Sequence, residues 1–200
     1  FGGEAGAAAT TYVANALAAG TMIDDANGAG MDALRNGTVS ALFSGTWDAA
    51  NVKDALGENY AAAQLPCITI DGAEKQMMSF SGSKAFAVNP NSAHMEAAVA
   101  LAAWLGSAEM QELHFDLRNG EVIPCATSLL TNEKFSANPA AVAQNDTIAN
   151  TSKLQPSIPE MGNYWGNAES LGKALANGEV NADNAAELTE TWNKGLNGGL

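Results

Sequence analysis

The chain has 200 residues, 46% of them hydrophobic and 16% charged, which is enough apolar material to bury a core in one domain or two small ones. Nine Lys and Arg stand against 22 Asp and Glu, and the resulting net charge of −13 repels nucleic acid and anionic lipid and argues against both as partners. No apolar run is long enough to cross a bilayer, and the start at Phe1 is read as either a removed leader or a piece of something longer.

In chain order, Ala7 to Gly20 is Ala-rich, with Tyr12, Val13, Leu17 and Ala18 at helical spacing, and predicts a helix that a glycine stops. Asp24, Asp25, Asn27 and Gly28 lack the ligand spacing of a calcium loop and read as a polar turn. Met31 to Arg35 predicts a short helix ending at Asn36-Gly37, and Val39 to Phe43, apolar with β-favouring ends, predicts a buried strand. Thr46 then caps a helix running to about Gly57, with Asp48 in its first turn. That places Trp47 at a strand-to-helix junction, where ligand clefts tend to form.

Tyr60 to Leu65 predicts a second strand, and Asp71-Gly72 a hairpin turn between Ile68-Thr69-Ile70 and Met77 to Ser81. Ala85 to Val88 reads as another strand. Ser92 caps a helix to Leu105, apolar nearly all round and therefore expected to pack deeply. Ser107 caps the next helix, which ends at Asn119-Gly120 and carries Met110, Leu113 and Leu117 as its apolar stripe, with His114 beside it. Glu121 to Cys125 is short and extended, Ala126 to Leu130 forms a turn of helix, and Asn138 to Asn150 an amphipathic helix. Two helices close the chain, about Asn167 to Asn177 and Ala182 to Leu196, the last with Ala185, Leu188, Trp192 and Leu196 facing inward.

Between them lies Ser157-Ile158-Pro159-Glu160-Met161-Gly162-Asn163-Tyr164-Trp165-Gly166. Pro156 and Pro159 fix their own φ and bias the residue before each away from helix, so the following helix starts abruptly with Tyr164 and Trp165 in or near its first turn. A sugar presents hydroxyls around apolar C–H faces and needs aromatic platforms with amides and carboxylates nearby. Trp47 and the Tyr164-Trp165 pair supply the first, and Asp48, Asn51, Asn163 and Glu160 the second. Composition alone does not rank this above core packing of the same rings.

Signals for chemistry are thin. His94 and His114 lie beside no nucleophile motif, and no glycine-rich phosphate cradle is present. Glu160 and Glu169 are the candidate acid and base of a glycosidase, but nothing in their spacing makes them converge. Cys67 and Cys125 form no CxxC motif and have no His beside them, so no metal is expected; a disulfide between them stays open.

The Pro159-to-Trp165 block, read with Phe43-Ser44-Gly45-Thr46-Trp47-Asp48, Tyr60 to Pro66, Asn36-Gly37 and Phe86-Ala87-Val88-Asn89, resembles the extracellular solute-binding proteins of ABC sugar importers, in particular the maltose/maltodextrin-binding family. The similarity runs in one unbroken order from about Ala7 to about Leu196. It implies an α/β, helix-rich, periplasmic-binding-protein-like (type II) fold of two lobes joined by a hinge. On that basis residues 1–70 are a C-terminal-lobe segment, 71–84 a hinge crossing, 85–130 an N-terminal-lobe segment, and 131–200 the return to the C-terminal lobe with its closing helices. It also implies the C-terminal part of a protein roughly twice as long. The helices around Val99 and Trp104 should then expose apolar surface unless the absent part is present.

By position, the resemblance points to Trp47 and Trp165 as rings that each stack on a glucose, with Tyr164 and Met161 lining the same wall and Glu160 among the ligand-binding residues. Gly166 departs from the family, whose members commonly carry an aromatic there. The implied function is capture of a malto-oligosaccharide or related sugar between lobes and its delivery to the ABC permease transmembrane subunits. The protein is expected to be a monomer outside the cytoplasm, a cell-surface lipoprotein or periplasmic, with no catalysis, cofactor or metal. The alternatives are a carbohydrate-active enzyme using Glu160 or Glu169, a different oligosaccharide specificity in the same family, and a structural surface protein with both Trp rings in its core.

Overall fold

The structure is a computed structural model that describes residues 2–25, 28–196 and 198. Its elements in chain order are α1 (Gly3–Ala18), α2 (Ala29–Arg35), α3 (Ala49–Leu56), β1 (Cys67–Ile70), β2 (Ala73–Gln76), β3 (Ser79–Ser81), α4 (Met95–Leu105), α5 (Ala108–Leu117), α6 (Glu133–Ser136), α7 (Pro139–Asn150), β4 (Ser152–Leu154), α8 (Met161–Ala176) and α9 (Ala185–Leu196). Two compact units divide the chain, one of residues 1–33, 67–76 and 156–200, the other of 34–66 and 77–155.

In the first unit α1 packs against α8 and α9. The alanines of α1 favour helix and leave little bulk between neighbouring backbones. Ala14, Ala174, Val180 and Ala185 form the core there, with Leu175, Leu188 and Trp192 packed against it. One buried polar link crosses it: the Thr189 hydroxyl donates to the Thr10 hydroxyl at 2.9 Å. Thr189→Val orphans the Thr10 partner, so a loss of about 1–3 kcal/mol is expected. Replacing both threonines with valine should recover part of that loss in urea denaturation; if it does not, the bond is not what the substitution removed. The hairpin β1–β2 turns at Asp71-Gly72, whose φ values of 51° and 76° are those of a type I′ turn.

In the second unit Phe115, Leu129 and Phe135 form the core, packed by Ala108, Ile123 and Ala126. Short side chains start its helices: Ser107 accepts from Met110 N–H at 3.3 Å, Asn132 from Lys134 N–H at 3.0 Å, and Asn138 from Ala141 N–H at 3.1 Å. β3 runs parallel to β4, Ser79 opposite Ser152 and Ser81 opposite Leu154.

Several expectations are corrected. Residues 39–43, 60–65 and 85–88 are not strands, because they pair with no strand among the described residues. The hairpin partner of Ile68-Thr69-Ile70 is Ala73–Gln76 rather than Met77 to Ser81, since a two-residue turn returns the chain immediately. The stripe on α5 is also inverted: Phe115 is buried, whereas Leu117 is 72% exposed. Ser92 accepts from the N–H of His94, two residues on, so α4 begins only at Met95. No residue of α4 is buried, and Val99, Leu101 and Trp104 are all about half exposed. Neither β4 nor α6 was expected from the sequence.

Among the described residues no helix is long and apolar enough to cross a membrane, and no group of His, Cys, Asp and Glu is placed to hold a metal ion. Cys67 and Cys125 are both exposed free thiols, one in each unit. Of the polar loop before α2, Asn27 lies outside the described residues, while the Asp25 carboxylate accepts from Gly30 N–H at 2.6 Å.

Candidate functional site

In the first unit the two prolines deliver the chain into a tight turn, where Met161 N–H bonds Ile158 C=O at 3.1 Å and Gly162 N–H bonds Pro159 C=O at 3.0 Å. α8 follows at once, opening at Met161, earlier than the expected start near Asn167. Glu160 is its N-cap residue, but the exposed carboxylate makes no capping bond and so remains available at the positive end of the helix. Met161 is half-buried, Tyr164 likewise, and Trp165 is 54% exposed. The Tyr164 and Trp165 rings meet edge to face, centroids 5.0 Å apart and planes at 88°, the arrangement the aromatic quadrupole favours. Asn163 is held to the end of α9, its amide donating to Leu196 C=O at 3.4 Å, and receives Asn167 on its own carbonyl at 2.8 Å. Gly166 faces open space: a Cβ there meets nothing within 4 Å.

In the second unit Trp47 stands in a 3-10 turn, Thr46–Asp48, that runs directly into α3. The ring is 67% exposed, and Phe43, just upstream, is 57% exposed. Thr46 does not cap α3 as the sequence suggests; its hydroxyl donates to the Glu121 carbonyl at 2.6 Å, fastening the turn to the segment after α5. The Ser44 hydroxyl donates to the Asp48 carboxylate across the same turn, so Asp48 is engaged locally, while Asn51 is exposed on α3.

The structure therefore gathers Glu160, Met161, Tyr164 and Trp165 within the first turns of one helix, and Trp47, Asp48 and Asn51 within one turn of the other unit. Phe43 and Ile158, the latter 55% exposed, are apolar neighbours in sequence that periodicity gave no reason to single out.

Electrostatics bear on the hydrolytic alternative. A glycosidase acid needs a carboxyl raised above its ordinary range. The Lys173 ammonium, hydrogen-bonded to Glu169 at 2.5 Å one turn along α8, instead holds that carboxyl below its ordinary value of 4.5. A depressed folded-state value means stabilisation that is present above pH 4.5 and fades as pH falls through the lower folded value. Helicity of α8 is thus expected to weaken at acid pH in the wild type and to lose that part of its pH dependence in Glu169→Gln, followed by circular dichroism. Retention of the same acid limb in Glu169→Gln would exclude this pair as its source. His94 and His114 are exposed, at the start of α4 and on α5.

Residues 2–144 match the family model described as bacterial extracellular solute-binding protein. A galactooligosaccharide-binding protein of Bacillus subtilis (strain 168) is 28% identical over 159 residues, 80% of this chain and 36% of that protein. The maltodextrin-binding protein MdxE of the same organism is 29% identical over 154 residues, 75% of this chain and 34% of that one. A structure solved with acarbose superposes with a TM-score of 0.89 at 40% identity, covering 99% of this chain and 52% of the other. A maltodextrin-binding protein from L. casei BL23, solved without ligand, gives 0.77 at 25% identity, with 97% and 52% covered. The chain thus spans about a third of the length of these curated relatives and about half of the solved chains.

Proposed function

We propose that this chain, which belongs to the family of bacterial extracellular solute-binding proteins, supplies part of a sugar-binding surface: with the rest of a longer protein it captures a malto-oligosaccharide or related oligosaccharide for an ABC importer and hands it to the permease. The observation that carries the reading is the exposure of both candidate platforms. Trp47 and Trp165 are 67% and 54% exposed, where core packing would have hidden them. Exposed indole faces beside Asn163, Glu160 and Asn51 have the mixed apolar and polar character that sugar rings require. The relatives are named as binding proteins, which supports binding without hydrolysis here too.

The lobe assignment of residues 1–70, 71–84, 85–130 and 131–200 belongs to the same proposal, as does closure of two lobes on the sugar. On this reading the half-exposed apolar residues of α4, Val99, Leu101 and Trp104, are covered in the longer protein by polypeptide outside these residues.

The test is a titration of the 200-residue chain and of the longer protein with maltotriose, other malto-oligosaccharides and galacto-oligosaccharides, following tryptophan fluorescence. A saturable change with one sugar class establishes binding and names it. Binding by the longer protein alone places an essential part of the site outside these residues, and silence of both across the panel ends the sugar reading. Release of reducing ends over hours would replace the importer assignment with an enzyme.

A further inference from the structure

We infer that Gly45 is the seat of the Trp47 indole, and that its missing side chain, together with the Thr46 anchor, fixes the orientation in which that ring is presented. The functional weight of this inference rests on Trp47 being a sugar platform, as proposed above.

A glycine is used for its backbone freedom, for close approach of another backbone, or for the space a side chain would fill. The first does not apply at Gly45, whose φ of −121° and ψ of −178° are extended values open to any residue. The second does not apply either, because the atoms nearest a Cβ placed there are Cζ3, Cη2 and Cε3 of Trp47, all in the six-membered ring of the indole and all closer than a van der Waals contact permits. What remains is space: the ring occupies the volume of the absent side chain. Other glycines near the candidate site are different, since Gly162, Gly166 and Gly172 would each place a Cβ in open space.

The turn that carries this seat is held from outside. The Thr46 hydroxyl reaches the Glu121 carbonyl at 2.6 Å. Glu121 follows Gly120, buried at φ 83°, where a Cβ would lie 2.6 Å from the Asn138 amide and 3.3 Å from the Phe115 ring. The anchor point is thereby fixed to the core of its own unit. A side chain at residue 45 would not unfold the turn, because the obstacle is one exposed ring that can swing to another rotamer. It would move the ring. Gly45 and Thr46 are accordingly positioning residues that act through Trp47.

The experiment uses the longer protein, with Gly45→Ala, Thr46→Val and Thr46→Ser made in the wild-type and Trp47→Ala backgrounds. The near-UV circular dichroism difference between wild type and Trp47→Ala defines the Trp47 band without any sugar. Gly45→Ala and Thr46→Val are expected to change that band, and Thr46→Ser to preserve it. Gly45→Ala should weaken maltotriose binding about tenfold in the wild-type background, and by less than about twofold where Trp47 is already alanine. An unchanged band in Gly45→Ala overturns the seat. So does an equal loss of affinity in both backgrounds, which would show the glycine acting elsewhere. If the wild type binds no sugar while the band responds as expected, the proposed function fails and the seat stands, because the spectral measurement needs no ligand.

Discussion

Phe135→Ala is expected to destabilise the second unit by about 3–5 kcal/mol, the range for removing a buried phenylalanine and leaving a partly collapsed cavity. Phe135 is 3% exposed and meets Phe115, itself 5% exposed, edge to face with ring centroids 4.6 Å apart. The two rings join α6 to α5, and Leu129 closes the cluster. The polar side of the same junction does not substitute for them. Lys134 bonds Asp116 at 2.5 Å and Glu112 at 3.4 Å, which raises its own pKa, chiefly through the Asp116 bond, but these groups are solvent-exposed and screened. Hydrogen exchange read segment by segment is the suitable measurement, because two units need not unfold as one. Amides of α5, α6 and α7 should lose protection while α1 and α9 keep theirs, and Phe135→Leu should lose less. Unchanged protection in α5 to α7 would mean that this aromatic pair is not what holds the unit.

That junction also marks what can be read from sequence. Caps are local: Ser107 and Asn138 announce their helices because the group each must satisfy lies three residues away on the same chain. The hairpin at Asp71-Gly72 is legible for the same reason. Strands are not local. Val39 to Phe43 and Ala85 to Val88 have the composition of strands but no ladder among the described residues, whereas Ser152-Lys153-Leu154 is polar, was not singled out, and pairs with Ser79-Phe80-Ser81. A short apolar run specifies burial only when a partner surface is at hand, and α4 makes the point at larger scale: all-round apolarity promised a deep core position, yet none of its residues is buried.

The candidate site was legible in part, and by two different routes. The proline-rich turn and the aromatic pair after it follow from local chemistry; Trp47 stands at a helix start as expected, but the strand expected before it is absent among the described residues. The exposure of these rings does not follow from local chemistry, since a tryptophan packs as readily against a core, as the partly buried Trp192 does. The role of Thr46 was misread because a hydroxyl before a helix ordinarily caps it; here the competing acceptor is a carbonyl brought in from Glu121, 75 residues away in sequence. Gly45 is legible only as part of the motif around Trp47 and not as a seat for the ring, because that importance lies in the position of a side chain two residues on.

Trp165→Ala is expected to weaken sugar binding by the longer protein at least tenfold, with little change in thermal stability. Stacking of a sugar face on an indole is taken at about 1.5 kcal/mol, which converts to about a factor of ten in the dissociation constant. The stability expectation follows from exposure: a ring 54% accessible contributes little to a core. Trp165 also touches Tyr164, so its loss frees a ring as well as removing one. Tyr164→Phe separates these effects, because it keeps the edge-to-face contact and deletes only the hydroxyl; it should cost less than Trp165→Ala. Trp165→Phe, which retains a smaller apolar face, should fall between alanine and wild type. Affinity measured calorimetrically with maltotriose decides the matter. Wild-type affinity in Trp165→Ala would remove the ring from the binding surface, and a loss of affinity that tracks a loss of thermal stability across the three variants would make its role structural.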